Sequence, residues 1–70
     1  MDILSNKKLS KNIKEIRQGL GLSQAKLAKK AKIPLSTYLK IESGYTPNPS
    51  IQNIANIAEA LNVKIEFLIK

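Results

Sequence analysis

Seventy residues with no cysteine, no histidine and a net charge of +7 fit one small domain, which buries only about 60% of the surface its unfolded form exposes and relies on well-packed helices or a partner subunit. With only five acids, none paired within a motif, there is no general base, nucleophile or metal set to assemble, so no enzyme, cofactor, metal or small-molecule ligand is expected. No apolar stretch approaches the roughly 18 residues of a membrane span, the amino terminus lacks a signal-peptide core, and the absence of cysteine fits a reducing compartment, so a cytoplasmic protein without membrane contact is expected.

Residues 1 to 8 read as a loose arm ahead of a single domain over 9 to 70. Leu9, Ile13, Ile16 and Leu20 recur at helical spacing, with Lys11, Lys14, Glu15 and Arg17 between them, which predicts a first amphipathic helix. Gly21 ends it, because glycine takes a positive φ past a helix end without a Cβ penalty. Ser23 is a good N-cap for a second helix of about two turns, with Leu27, Ala28 and Ala31 inward and Lys26, Lys29 and Lys30 outward. Pro34 suits a first turn, so a third helix is expected from there to about Ser43, with Tyr38 and Ile41 as its buried stripe and Gly44 as its stop.

The loop Tyr45-Thr46-Pro47-Asn48 is turn chemistry, and Asn48 before Pro49 reads as an N-cap followed by the first residue of a fourth helix. Ile51, Ile54, Ala55, Ala58 and Leu61 give that helix an inner face, and Asn62 is its stop. The tail from Val63 to Ile69 is apolar almost throughout and suits a short closing helix better than a lone strand with nothing to pair. The sequence shows no repeat and no internal linker. The expected fold class is all-α, a compact bundle of about five short helices.

The charge is lopsided. Residues 1 to 40 carry nine Lys and one Arg against Asp2 and Glu15, whereas residues 41 to 70 carry Lys64 and Lys70 against Glu42, Glu59 and Glu66. Such asymmetry is the electrostatic footprint of a nucleic-acid binder, although a Lys-rich face kept for solubility would look the same.

The stretch from Ser23 to Gly44 separates these readings. Ser23-Gln24 opens it, Leu27-Ala28 and Ala31 follow, and Ile33, Tyr38, Ile41 and Glu42 complete it. It closely resembles the phage repressor and Cro-like helix-turn-helix family. The likeness extends upstream through Ile13, Ile16 and Arg17 and downstream through Asn48-Pro49-Ser50-Ile51, Ala58-Glu59-Ala60-Leu61 and Leu68. Physics agrees with it: two steeply crossing helices approach closely only over a small residue such as Ala28, and Leu27, Ile33, Tyr38 and Ile41 wedge the second in place.

The resemblance implies a lambda-repressor-like domain that binds double-stranded DNA, with the third helix in the major groove. The implied base contacts are Leu35, Ser36 and Lys40, with Thr37 at the edge between base and phosphate. Lys40 can donate to guanine, Ser36 can donate or accept, and Leu35 can meet only a thymine methyl, so much of the specificity is expected from DNA shape and half-site spacing. Gln24 matches the family's phosphate-binding position. Ser23, Ser43 and Asn48 are further phosphate candidates, and Lys14, Lys26, Lys29 and Lys30 add a diffuse field.

The resemblance also sets Arg17, the one arginine, against Glu42. A planar guanidinium can hold a carboxylate bidentately where lysine cannot, so an ion pair between the first and third helices is implied. Two departures from the family stand out. Lys32 occupies the turn position where relatives carry Gly, and must either accept φ > 0 at about 1 kcal/mol or reshape the turn. Pro34 replaces the usual Ser or Thr, so the third helix lacks its ordinary side-chain cap.

Ile65, Phe67 and Ile69 exceed what one small core readily absorbs, and some of them are expected to face a second copy. The function expected is a transcriptional regulator, a repressor acting as a homodimer on a pseudo-palindromic operator. An antitoxin or protein-binding adaptor on the same fold is the alternative, since fold does not fix function.

Overall fold

The computed structural model describes residues 6–44 and 49–69. Among these lie α1 (Asn6–Gly19), α2 (Gln24–Ala31), α3 (Leu35–Ser43), α4 (Ile51–Leu61) and α5 (Ile65–Ile69). The described residues contain helices and no strand. Because α1 opens at Asn6, residues 6 to 8 are helical.

The starts of α2, α3 and α4 follow from local chemistry. The Ser23 hydroxyl accepts a hydrogen bond from the Lys26 amide at 3.0 Å, which supplies one of the first-turn N–H groups with a partner. α4 begins later than the Asn48–Pro49 pair suggested. Its N-cap is Ser50, in extended backbone, whose hydroxyl accepts from the Asn53 amide at 3.0 Å; Asn48 lies outside the described residues. A hydroxyl directly before Ile51 is the better-placed cap, and Pro49 therefore precedes the helix instead of opening it. Pro34 likewise stands just outside α3, at φ −60° and ψ 143°, with no side-chain cap bond. Its carbonyl accepts the first helical bond, from the Tyr38 amide at 3.0 Å.

The helix ends repeat one device. Lys32 closes α2 in the left-handed conformation at φ 59°, and Ile33 N donates back to Ala28 O at 3.0 Å. Asn62 closes α4 at φ 59°, and Val63 N donates to Ala58 O at the same 3.0 Å. These 6→1 bonds are the Schellman pattern, which turns the chain sharply and satisfies carbonyls the helix leaves open. The α4–α5 corner is thus the α2–α3 corner used again, an echo that the residue pattern does not display as a repeat.

α2 lies against α3 and α4, while α1 lies against α3, α4 and α5. Ile13, Leu27, Tyr38, Ile57, Leu61 and Leu68 are the largest fully enclosed side chains, and Ala28, Ala31 and Ala58 let the helices approach closely. Asn12 Nδ2 donates to the Leu68 carbonyl at 3.0 Å, fastening the last helix to the first. Two positions read as inward are not. Leu20 lies just past the last residue of α1, its amide still bonded to the Ile16 carbonyl at 3.0 Å, and is 54% exposed. Ile51, the first residue of α4, is 73% exposed, since a side chain in the first turn projects beyond the neighbours that cover Ile54 and Ile57.

Candidate nucleic-acid interface

α3 has two unlike sides. Tyr38, Ile41 and Glu42 are buried, and Leu35, Ser36, Leu39 and Lys40 are exposed, with Thr37 half-buried between them. The expected base-reading residues Leu35, Ser36 and Lys40 therefore share an open face. Leu39, which the sequence reading did not single out, joins them; its place four residues after Leu35 was the available signal.

What fixes this face in space is a buried polar cluster beneath it. Arg17 Nε donates to Glu42 Oε1 at 2.8 Å and Nη2 to Oε2 at 3.2 Å, a fork on a carboxylate. Arg17 Nη1 donates to the Leu22 carbonyl at 2.6 Å, so one guanidinium ties α3 both to α1 and to the turn before α2. The Tyr38 hydroxyl donates to Glu42 Oε1, and Gln24 Nε2 to Oε2 at 2.8 Å. Two carboxylate oxygens thus receive bonds from three side chains on three helices. No buried side-chain polar atom among the described residues lacks a partner, which is the condition under which a buried charge is tolerable.

The electrostatics follow. Burial, the largest influence on the Glu42 carboxyl, pushes its pKa up, but the bonds from Arg17, Tyr38 and Gln24 and the Arg17 charge together outweigh it, so Glu42 titrates below the ordinary glutamate value. Burial and the hydrogen bond to Glu42 raise the Tyr38 hydroxyl well above an ordinary tyrosine. The bond to Glu42 raises the Arg17 guanidinium further. Tyr38 and Glu42 are four apart on one helix and were within reach of sequence reasoning; nothing in the sequence signalled the Gln24 bond.

The phosphate candidates divide. Gln24 is exposed at the start of α2, and its amide nitrogen carries a second hydrogen beyond the one given to Glu42. The Ser23 hydroxyl caps α2, and the Ser43 hydroxyl donates to the Lys40 carbonyl at 2.9 Å. Lys14 on α1 and Lys26, Lys29 and Lys30 on α2 are all exposed, the last three around Leu22. Asn48 lies outside the described residues.

Two helices joined by a left-handed turn, the second held by a buried carboxylate and open on its far side, form a recognisable arrangement. A family model described as helix-turn-helix matches residues 13–68. The chain belongs to the Cro-like helix-turn-helix family. This helix-turn-helix chain is similar to a solved structure, the restriction-modification controller protein C.AhdI from Aeromonas hydrophila, with 32% identity and a TM-score of 0.85 over 90% of this chain and 94% of that one. No curated protein matches it. The family is one of DNA-binding transcriptional regulators. Among the described residues no helix is long and apolar enough to cross a membrane.

Proposed function

We propose that this helix-turn-helix protein is a cytoplasmic repressor of transcription that binds a pseudo-palindromic operator as a homodimer, with α3 in the major groove of each half-site. The observation that carries the reading is the pairing of an open α3 face, Leu35, Ser36, Leu39 and Lys40, with the four-residue polar brace that immobilises it from behind. A reading head held to a fixed geometry is what base contacts at hydrogen-bond distance require.

Gln24 would anchor the phosphate backbone. Glu42 is acceptor-only, so it fixes which end of the Gln24 amide faces inward and leaves the remaining N–H for a phosphate oxygen. Lys14, Lys26, Lys29 and Lys30 would supply the salt-dependent attraction that draws the domain to DNA without choosing a sequence. Phe67 and Ile69, 57% and 43% exposed, would meet a second copy. Phe67 lines an open groove of about 700 Å³ between α4 and α5, together with the apolar Ala55, Ala58, Val63 and Ile65 and the charged Glu59 and Lys64. Ile65 itself is half-buried against the core, which leaves it a supporting part.

Selection of bound duplexes from random DNA at a stated salt concentration tests the proposal. An enriched pseudo-palindrome with half-site centres roughly 34 Å apart is expected; sequence-independent binding without any enriched site would overturn it. The likeness to C.AhdI favours a more specific setting, control of restriction-modification genes. Occurrence of the enriched site upstream of such genes in the source genome is the outcome that reading requires.

A further inference from the structure

We propose that Leu35 and Leu39 act together as a reader of thymine methyl groups, and that this apolar pair sets the sequence preference as much as the polar residues beside it. The inference rests on the placement of α3 in the major groove. Its independent basis is the division of the outer face of α3 into two parallel stripes. Leu35 and Leu39 are 43% and 39% exposed and lie four residues apart, one above the other; Ser36 and Lys40 form the same spacing alongside. Neither leucine belongs to the enclosed core, which Tyr38 and Ile41 close beneath α3, so each keeps part of its side chain open to a partner.

The major groove offers leucine one suitable partner. Guanine, adenine and cytosine edges present hydrogen-bonding groups, and only thymine presents an apolar one, its C5 methyl. A leucine pressed against a polar edge strips water from it and returns no hydrogen bond, so the stripe selects thymine by attraction and disfavours the other bases by desolvation. Four residues of helix rise about 6 Å, against about 3.4 Å per base step along a strand. The pair therefore spans about two steps, and Lys40, able to donate to guanine O6 and N7, places a guanine next to the thymines. This expands the polar code of Ser36 and Lys40 into a half-site with thymines at two fixed positions.

Deoxyuridine tests this directly, because it pairs as thymine does and lacks only the methyl group. In the selected operator, each thymine of one half-site is replaced singly and the affinity of the full chain is measured at constant salt. About four-fold weaker binding is expected at each of two positions, the loss of one buried methyl, with no change at the other thymines. Leu35→Ala should abolish the sensitivity at one of these positions and Leu39→Ala at the other, with thermal midpoints close to that of the parent. An enriched operator in which no deoxyuridine substitution weakens binding overturns the methyl reader and leaves the regulator reading standing. The same holds if both alanine variants keep the parent's full sensitivity. Failure to enrich any site is the separate result that removes the regulator reading.

Discussion

Protonating Glu42 would leave the Arg17 guanidinium buried without its counter-charge, and the direction of each pKa shift says when that happens. The Glu42 value is lowered in the folded state. The stability it contributes is therefore fully present above the unfolded glutamate value of about 4.3 and is lost as pH falls through the lower folded value. Tyr38 is raised, so its contribution is present below about pH 10 and fades above it. A plateau of stability bounded on the acid side below about pH 4 is expected in urea unfolding. Glu42→Gln should lower stability at pH 7 by about 3 kcal/mol, since it breaks a buried pair from one side, and should flatten the acid decline between pH 5 and 2. An unchanged acid limb in that variant would show that other carboxyls govern it. At this scale the sequence was readable where a residue type is chemically singular. Arg17 stands out as the one arginine, and the resemblance supplies its partner. The resemblance assigns Gln24 to a phosphate and not to Glu42, because an exposed amide at a helix start serves a phosphate or a carboxylate equally well, and only the fold brings Glu42 within 2.8 Å of it.

The helices were legible from spacing and punctuation, and the differences lie at their ends. Gly44 and Asn62 stop α3 and α4 where their conformational tolerance predicts. Leu20 and Ile51 fooled the pattern because period alone does not say where a helix frays into solvent, and a terminal apolar residue fits the stripe without having a neighbour above it. Leu39 escaped notice for the converse reason: an apolar residue on the flank of a stripe reads as extra core. The turn between α2 and α3 decides a specific outcome. Lys32 takes the left-handed conformation at φ 59° instead of reshaping the Schellman geometry, which costs roughly 1–2 kcal/mol, while glycine there would add unfolded-chain entropy worth about 0.4–1 kcal/mol. Lys32→Gly should accordingly be neutral or stabilise by up to about 1.6 kcal/mol, read as a shift of 0 to about 13 °C in Tm. A clear loss would mean that the lysine side chain contributes contacts that outweigh its backbone strain.

At the scale of the molecule, the basic half of the chain carries α1, α2 and most of α3, and the near-neutral half carries the end of α3 with α4 and α5, so the charge asymmetry seen in the sequence becomes a division of labour between DNA and partner subunit in the assembly proposed. Phe67→Asp places a charge on the exposed side of α5 without touching the buried Leu68. In sedimentation it should shift the protein to monomer, and operator affinity should fall by at least about ten-fold as the two half-sites lose their linkage. Thermal unfolding at low concentration should change little. Dimers that persist in this variant would move the subunit contact elsewhere on the surface.

The bond from Asn12 to the Leu68 carbonyl acquires a further meaning in such an assembly. α1 carries Arg17 near one end, where it grips α3, and Asn12 near its middle, where it grips α5. α1 would thus be, in the assembly proposed, one strut between the surface that meets bases and the surface that meets the partner subunit. In the proposed dimer the separation of the two reading heads would be set by the packing that runs from α3 to α5, through α1 on one side and through α2 and α4 on the other, and how sharply such a dimer rejects an operator with one base pair inserted would measure the stiffness of that frame.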